Sequence, residues 1–405
     1  MQMRRTKDGE LISVLGFGVM RLPKIDGQID KTKATEMIYY AIDHGVNFID
    51  TALLYHEGCS ESFLGEILND GYRDKVKLCT KVPAWAIEKI EDVEKYLELQ
   101  LLKLQTDCID YYLIHNLSWG SFCRLKELGI IEFLESARDE GKIEYIGFSF
   151  HDSTMAFKKI IDAYPWDVCL IQYNFLDENS QAGKEGLKYA ATRGINVLVM
   201  GPLKGGILAG EAPRDAMMIW DKSTIKRTPA EWALRWVLNH PEITCVLSGM
   251  GTLKQVKENI KVANETPPDS IADDELKLYS QAKNVYEKQL KVDCTACGYC
   301  MPCPQGVDIP QCFTLHNQKH MFKDFTPSYL YLTVLGGASS GNQSYAGLCN
   351  GCGNCVKLCP QKLDVPLLLK EVSSDMEGEG FHDKVKAAEL RLTKKRESLK
   401  KTLKF

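Results

Sequence analysis

Two runs of cysteines constrain this chain more than any other feature. Cys294, Cys297, Cys300 and Cys303 lead into Pro304, and Cys349, Cys352, Cys355 and Cys359 lead into Pro360. Three cysteines at every third residue wrap one corner of a cuboidal cluster, while a fourth, set off by proline, points away from it. That is the spacing of a domain with two 4Fe-4S clusters, where the last cysteine of each run ligates the cluster of the other. Cys359 is thus expected to complete the cluster of Cys294, Cys297 and Cys300, and Cys303 that of Cys349, Cys352 and Cys355. A zinc site would use four ligands on two separated hooks, and a disulfide framework suits small secreted domains. The runs also belong to an internal repeat: CPQGVDIP, Cys303 to Pro310, recurs as CPQKLDVP, Cys359 to Pro366. Each copy's second proline can open a helix, because a first-turn amide has no internal partner. The aromatic stretch Phe322 to Tyr331 between the copies reads as packing beneath the clusters.

The remaining seven of the fifteen cysteines are scattered. Cys79, Cys108, Cys169 and Cys245 fall in apolar, strand-like segments and read as core filler. The opening MQMRRTKDGE has basic residues but no apolar signal region, and no run of 18 apolar residues occurs, so a cytoplasmic protein without a membrane span is expected. From Lys384 to Phe405 nine basic residues stand against two acidic ones. Such a helix is ordinarily a solvated face, but it could also guide an acidic electron carrier of the ferredoxin or flavodoxin type. Nucleic acid is not an expected partner.

At 405 residues the chain exceeds one ordinary core. Eight short apolar runs alternate with amphipathic stretches: Gly16 to Met20, Val46 to Ala52, Val76 to Val82, Cys108 to His115, Ile143 to Ser149, Cys169 to Asn174, Asn196 to Pro202 and Thr244 to Gly249. Strand and helix repeated eight times predict a (β/α)8 barrel. An open doubly wound sheet is disfavoured, since no Gly-x-Gly-x-x-Gly follows the first strand. The expected layout is an α/β TIM barrel over 1–263, a linker and helix over 264–292, a ferredoxin-like α-helical iron-sulfur domain over 293–370 and a basic helical tail over 371–405.

In such a barrel, chemistry gathers where strands meet the following loops. Asp50 ends the second strand in FIDTA and Tyr55 follows it; Lys81 ends the third in LCTKV; His115 ends the fourth in YYLIH. Carbonyl reduction needs a proton at oxygen as hydride reaches carbon, and tyrosine, with a pKa of about 10, is a weak acid at neutral pH. An adjacent ammonium favours the phenolate, and a carboxylate can hold that ammonium. Tyr55 is thus the candidate acid, Lys81 its tuner, Asp50 the anchor and His115 the group that orients the carbonyl oxygen. Singly, each has a structural explanation as a cap, a loop aromatic, a surface lysine or a core histidine; their joint placement favours the site.

Residues 1 to about 263 resemble an aldo-keto reductase in FIDTA, Tyr55, TKV and the fourth-strand histidine, and the appended cysteines are similar to the family's iron-sulfur branch. The resemblance implies the tetrad Asp50, Tyr55, Lys81 and His115 and a nicotinamide cofactor, NAD(P)H, extended across the barrel mouth. It assigns Gln172 and Ser149 to the carboxamide, with His151 close by and Phe150 where the family usually has asparagine. Met200 stands where relatives stack a tyrosine on the nicotinamide. The loop GPLKGGIL resembles the pyrophosphate-embracing loop, with Gly201, Leu203, Lys204 and Gly206 as its candidate contacts and Lys204 as its charge. Glu258 and Asn259 align with the adenine-binding pair. Gly249, Met250 and Gln255 stand near the usual 2'-phosphate grip, with Lys254 the one basic candidate, so tolerance of NADH is expected.

Hydride moves two electrons, whereas a 4Fe-4S cluster exchanges one. The leading expectation is an NAD(P)H-dependent oxidoreductase of a small carbonyl or conjugated substrate, with the clusters linking its site to an external carrier. The alternatives are a flavin-holding (FMN) electron-transfer protein on the same barrel, which no motif indicates, and clusters that are purely structural. Leu117 to Lys126 and Glu211 to Arg227 read as substrate loops, with Trp119, Phe122 and Trp220 available to line a pocket or to pack.

Overall fold

The computed structural model describes residues 1–322, 326–338 and 342–403. The chain divides into two compact units, Met1–Lys204 with Arg227–Leu276, and Gly205–Lys226 with Lys277–Phe405.

Eight parallel strands close a barrel in the first unit: β1 (Leu15–Gly18), β2 (Phe48–Asp50), β3 (Lys77–Pro83), β4 (Ile109–Leu117), β5 (Ile143–Phe150), β6 (Val168–Gln172), β7 (Asn196–Met200) and β8 (Ile243–Ser248). They pair in chain order, and β8 closes on β1 with Val246 opposite Leu15. Alternate side chains turn inward, and Phe48, Cys79, Tyr111, Leu113, Val168, Leu170, Leu198, Cys245 and Leu247 form one buried cluster. Gly147 on β5 leaves room for its neighbour, since a Cβ there would lie 2.4 Å from the carbonyl oxygen of Val168. Before the barrel, Met3–Arg5 pairs antiparallel with Leu11–Ser13 around the Asp8-Gly9 turn.

The helices of this unit are α1 (Lys31–Asp43), α2 (Ser60–Leu68), α3 (Ile90–Leu104), α4 (Trp119–Glu127), α5 (Ile130–Asp139), α6 (Thr154–Asp162), α7 (Gly183–Ala191), α9 (Pro229–Leu238) and α10 (Leu253–Glu265); α8 (Arg214–Trp220) lies in the second unit. Short helices therefore stand within both expected substrate loops. Ser118 caps α4 by accepting a hydrogen bond from the Ser121 amide, a start signal masked in the sequence by Gly120 in the first turn. Phe122 is buried against Trp166, and Trp220 is buried edge-on to Tyr279, so both rings pack rather than line a pocket. Cys79, Cys169 and Cys245 are core filler, whereas Cys108 is only half-buried just before the start of β4, where its carbonyl accepts from Arg73.

α11 (Asp273–Gln289) leads into the cysteine region. There follow α12 (Ile309–Phe322), α13 (Thr326–Leu330), α14 (Asn354–Leu358), α15 (Val365–Met376) and α16 (Phe381–Leu403). Both repeat copies open a helix with proline in the first turn, at Pro310 and Pro366. The aspartate before each is the cap: Asp308 Oδ1 accepts from the Gln311 amide at 3.1 Å and Asp364 Oδ1 from the Leu367 amide at 3.3 Å. Val307, Ile309, Phe313, Tyr331, Tyr345, Val365, Leu369, Val372 and Phe381 build the core of this unit. Within the stretch Phe322 to Tyr331, residues 323–325 and the Phe322 side chain lie outside the described residues; Tyr331 is fully buried and its hydroxyl donates to Glu377. Residues 404–405 of the basic tail also lie outside them. No helix among the described residues is long and apolar enough to cross a membrane.

Candidate active site and cluster cradles

The carboxyl ends of β2, β3 and β4 bring the four expected residues together. Lys81 is 1% and Asp50 5% exposed, and the ammonium donates to Asp50 Oδ1 at 2.5 Å and to the Thr51 carbonyl at 2.6 Å. The same Nζ lies 5.1 Å from the centre of the Tyr55 ring, which stands edge-on to the His115 ring at 6.4 Å. Tyr55 is only half-buried and so remains open to a reactant. Behind it, His56 and Glu57 both take left-handed backbone (φ 51° and 57°), a conformation costing about 1–2 kcal/mol per non-glycine residue. His56 Nε2 lies 2.9 Å from the Val19 carbonyl, which pins that turn to the end of β1.

Sequence reasoning missed a second layer beneath the tetrad. Glu61 on α2 is fully buried, and its Oε1 accepts from Thr80 Oγ1 at 2.7 Å and Gln100 Nε2 at 2.6 Å. Gln100 also donates to the Lys81 carbonyl at 3.1 Å and accepts from the Tyr112 hydroxyl. The lysine-bearing strand is thereby tied to α2 and α3. α2 lacks a side-chain cap and carries a glutamate on its buried face, so no cap residue marks its start and its core face is not purely apolar. Trp85 adds an aromatic wall 5.1 Å from the His115 ring.

Burial raises the Asp50 carboxyl, and the Lys81 ammonium opposes that shift. Burial, then the Lys81 charge, then His151 push His115 well below the ordinary histidine value, so at neutral pH it is an uncharged imidazole able to donate a hydrogen bond. In the unfolded chain this ring takes a proton near pH ~6.5. Stability tied to the neutral ring is therefore complete above that pH and is lost as pH falls toward the folded value. His56 and His240 shift the same way. His115→Gln should flatten, without abolishing, the fall in melting temperature between about pH 6.5 and 5; an unchanged slope would contradict the burial of an uncharged ring.

The expected cofactor residues are placed unevenly. Ser149 is buried at the end of β5, where its Oγ accepts from the Asn116 amide at 2.8 Å. Gln172 is buried at the end of β6 and donates its Nε2 to Asp177 Oδ2 at 2.8 Å. His151 Nδ1 lies 3.1 Å from Gln181 Oε1. Met200, half-buried, packs on the barrel's inner cluster. Gly201 is left-handed (φ 63°), and it stands beside the Gln172 side chain, where a Cβ would make an ordinary contact with Cγ at 3.5 Å. Leu203 is half-buried.

Lys204 departs from expectation, because its ammonium is buried and paired with Asp177 Oδ1 at 2.5 Å instead of standing free for a diphosphate. Asp177, which also accepts from Asn174 Nδ2, is the hub that the sequence did not reveal. Gly206 belongs to the second unit, as does Gly205, where a Cβ would lie 2.2 Å from the Thr295 carbonyl oxygen. The tightness of that glycine is thus set by the cysteine segment. At the β8 end, Asn259 is buried and donates to Ser248 Oγ, Gln255 accepts from the Gly251 amide, and Glu258 faces Lys254 at 3.7 Å. Arg21 is a second cation there, its stem 3.2 Å from where a Gly249 Cβ would be.

In the second unit, Cys294, Cys297, Cys300 and Cys359 line one cavity, and Cys303, Cys349, Cys352 and Cys355 surround another, which Cys300 also borders. Each cavity thus gathers three thiols of one run and the last of the other, a donor set that fits a 4Fe-4S cluster. Burial pushes the Cys294 and Cys300 thiols up to about 12, so iron binding must displace protons there. Cys359→Ala should lower iron from about eight to about four per chain. Adding Cys297→Ala should then cost no further iron, whereas adding Cys352→Ala should remove nearly all; the reverse pattern would show that each run keeps its own fourth ligand.

A closed eight-stranded barrel with a buried lysine-carboxylate pair at its mouth, joined to two four-thiol cradles, defines an oxidoreductase. The profile of the Aldo/keto reductase family matches residues 14–274, and that of a 4Fe-4S dicluster domain matches residues 293–363. The chain belongs to the aldo/keto reductase family and carries a C-terminal 4Fe-4S dicluster domain. It is 26% identical over 279 residues to L-galactose dehydrogenase of Arabidopsis thaliana, covering 64% of this chain and 86% of that protein. It is likewise 26% identical over 302 residues to the NADH-specific methylglyoxal reductase of Escherichia coli, covering 62% and 90%. Among solved structures, an aldo-keto reductase from Bacillus halodurans in its holo form superposes with a TM-score of 0.59 at 26% identity, over 70% of this chain and 96% of that one.

Proposed function

We propose that this protein reduces a small carbonyl substrate with NAD(P)H, and that its clusters exchange electrons with an external carrier. The observation that carries the reading is the convergence of Asp50, Tyr55, Lys81 and His115 at one barrel end. Nicotinamide, when bound, supplies hydride to the carbonyl carbon. The chain's own residues handle the proton: Tyr55 donates from its hydroxyl to the carbonyl oxygen, and the Lys81 ammonium favours the phenolate left behind. Asp50 holds Lys81 in place, while neutral His115 donates a hydrogen bond that orients the substrate oxygen.

Ser149 and Gln172 are proposed to hold the carboxamide, Met200 to pack on the ring, and Gly201 and Leu203 to line the diphosphate path. Glu258 and Asn259 would take the adenine, with Gly249 and Gln255 beside it. The two relatives named above act on a sugar and on an oxoaldehyde by their names, which supports small polar carbonyl compounds as the substrate class. Steady-state turnover of small aldehydes and ketones with each nicotinamide tests the reading. Arg21 and Lys254 are cations close to the Gly249 to Gln255 segment proposed to meet a 2'-phosphate, so Arg21→Ala should raise KM for NADPH more than for NADH; equal effects would remove Arg21 from that role. The basic composition of the tail from Lys384 to Phe405 suits an acidic protein carrier, and its steering should weaken as salt rises.

A further inference from the structure

Away from the two thiol cradles, the second unit holds a group of side chains that neither the reductase site nor the clusters use. His316 and His320 stand four residues apart on α12, a spacing that puts both rings on one helix face. Across from them, Asp375 on α15 directs one carboxylate oxygen at both rings: Oδ2 lies 3.2 Å from His316 Nε2 and 3.1 Å from His320 Nε2. The two rings are mutually perpendicular, with centres 4.9 Å apart, and the three candidate ligand atoms all fall within 4.8 Å of one another. His316 is buried and its Nδ1 has no hydrogen-bond partner, so the ring's polar engagement runs through Nε2 alone. Lys319 Nζ occupies the other oxygen, Asp375 Oδ1, at 2.9 Å and also donates to the Asp375 carbonyl.

We infer that His316, His320 and Asp375 form a binding site for a divalent first-row transition ion, with Asp375 as a single-oxygen ligand and a fourth position open to water. The chemistry is that of two imidazoles and one carboxylate, a donor set that zinc takes at about 2.0–2.2 Å per ligand. Tetrahedral geometry at those lengths separates neighbouring ligand atoms by roughly 3.3–3.6 Å. The two nitrogen-to-oxygen separations of 3.2 and 3.1 Å need to open by only a few tenths of an ångström to admit the ion. His320 and Asp375 are each about one-third exposed, which leaves a path from solvent.

The position in the fold gives the site a purpose. α12 and α15 are the two helices that leave the clusters, one from each copy of the repeat, and they pack together. Lys319 and Asp375 stand at equivalent places, each sixteen residues beyond the last cysteine of its run (303 to 319, 359 to 375). An ion held here joins the two halves of the dicluster domain at a point independent of the thiols, and its binding energy adds to the stability of that pairing.

The test uses the anaerobically purified holoenzyme, dialysed against micromolar zinc and then analysed for zinc and iron together. Wild type is expected to retain about one zinc per chain with iron unchanged, and to melt at a higher temperature than the zinc-free sample. Asp375→Asn keeps the shape while removing the charge, and His320→Gln alters a partly exposed ring; each should lose that zinc while keeping its iron. Zinc retained equally by wild type and both variants, or by none of them, would overturn the site. The iron count and the carbonyl activity report separately on the clusters and the tetrad, so failure here leaves the proposed reductase function standing.

Discussion

Tyr55→Phe is expected to lower kcat for carbonyl reduction by about 10²- to 10⁴-fold, the usual contribution of a positioned general acid. The argument rests on geometry. The ring is half-exposed at the barrel mouth, lies 5.1 Å from a buried ammonium and stands edge-on to an imidazole that burial keeps neutral. Phenylalanine preserves these ring contacts and removes only the hydroxyl. KM for the nicotinamide and the visible absorbance of the clusters should therefore stay as in wild type. Retained turnover would assign the proton to another group, with His115 the first to examine, since it is the other ring of the tetrad.

Lys81→Met should be costly to stability as well as to activity. The ammonium is almost wholly buried and is bound to the Asp50 carboxylate and to the Thr51 carbonyl. Removing it leaves a buried carboxylate without its counter-charge, a change that typically costs about 3–5 kcal/mol. Adding Asp50→Asn should recover part of that loss, because an uncharged pair is often nearly neutral in stability, yet it should not restore turnover. Denaturant unfolding checks both variants. A single variant within about 1 kcal/mol of wild type would mean that the pair is solvated and worth no more than a surface ion pair.

Much of this site is legible in the sequence because barrel strands place their chemistry at a fixed end. FIDTA, LCTKV and YYLIH each carry a titratable residue at or near the end of a mostly apolar run, and a buried titratable group in that position has few structural uses. The cysteine runs are legible for a different reason, since cluster ligation demands a spacing that packing does not. What stayed hidden depends on contacts between segments distant in the chain. Lys204 looks like a phosphate ligand in GPLKGGIL, but a buried partner at Asp177 claims it. The close packing of Gly205 is set by the Thr295 carbonyl oxygen, ninety residues further along the chain. Arg21 reaches the Gly249 neighbourhood from the other end of the sequence, so inspection of the SGMGTLK segment alone finds only Lys254. α2 and α4 are hard to read because α2 has no side-chain cap and buries a glutamate, and α4 carries a glycine in its first turn.

The central claim is that carbonyl reduction occurs by hydride transfer at the tetrad. Isotope tracing tests it most directly: the holoenzyme turns over a small aldehyde with nicotinamide deuterated at C4 of the ring, in ordinary water, and mass spectrometry locates the label. The account predicts that the alcohol carbon carries deuterium from the nicotinamide in wild type and that product formation nearly vanishes in Tyr55→Phe. An alcohol whose carbon-bound hydrogen comes from solvent, formed at equal rates by wild type and Tyr55→Phe, would contradict it.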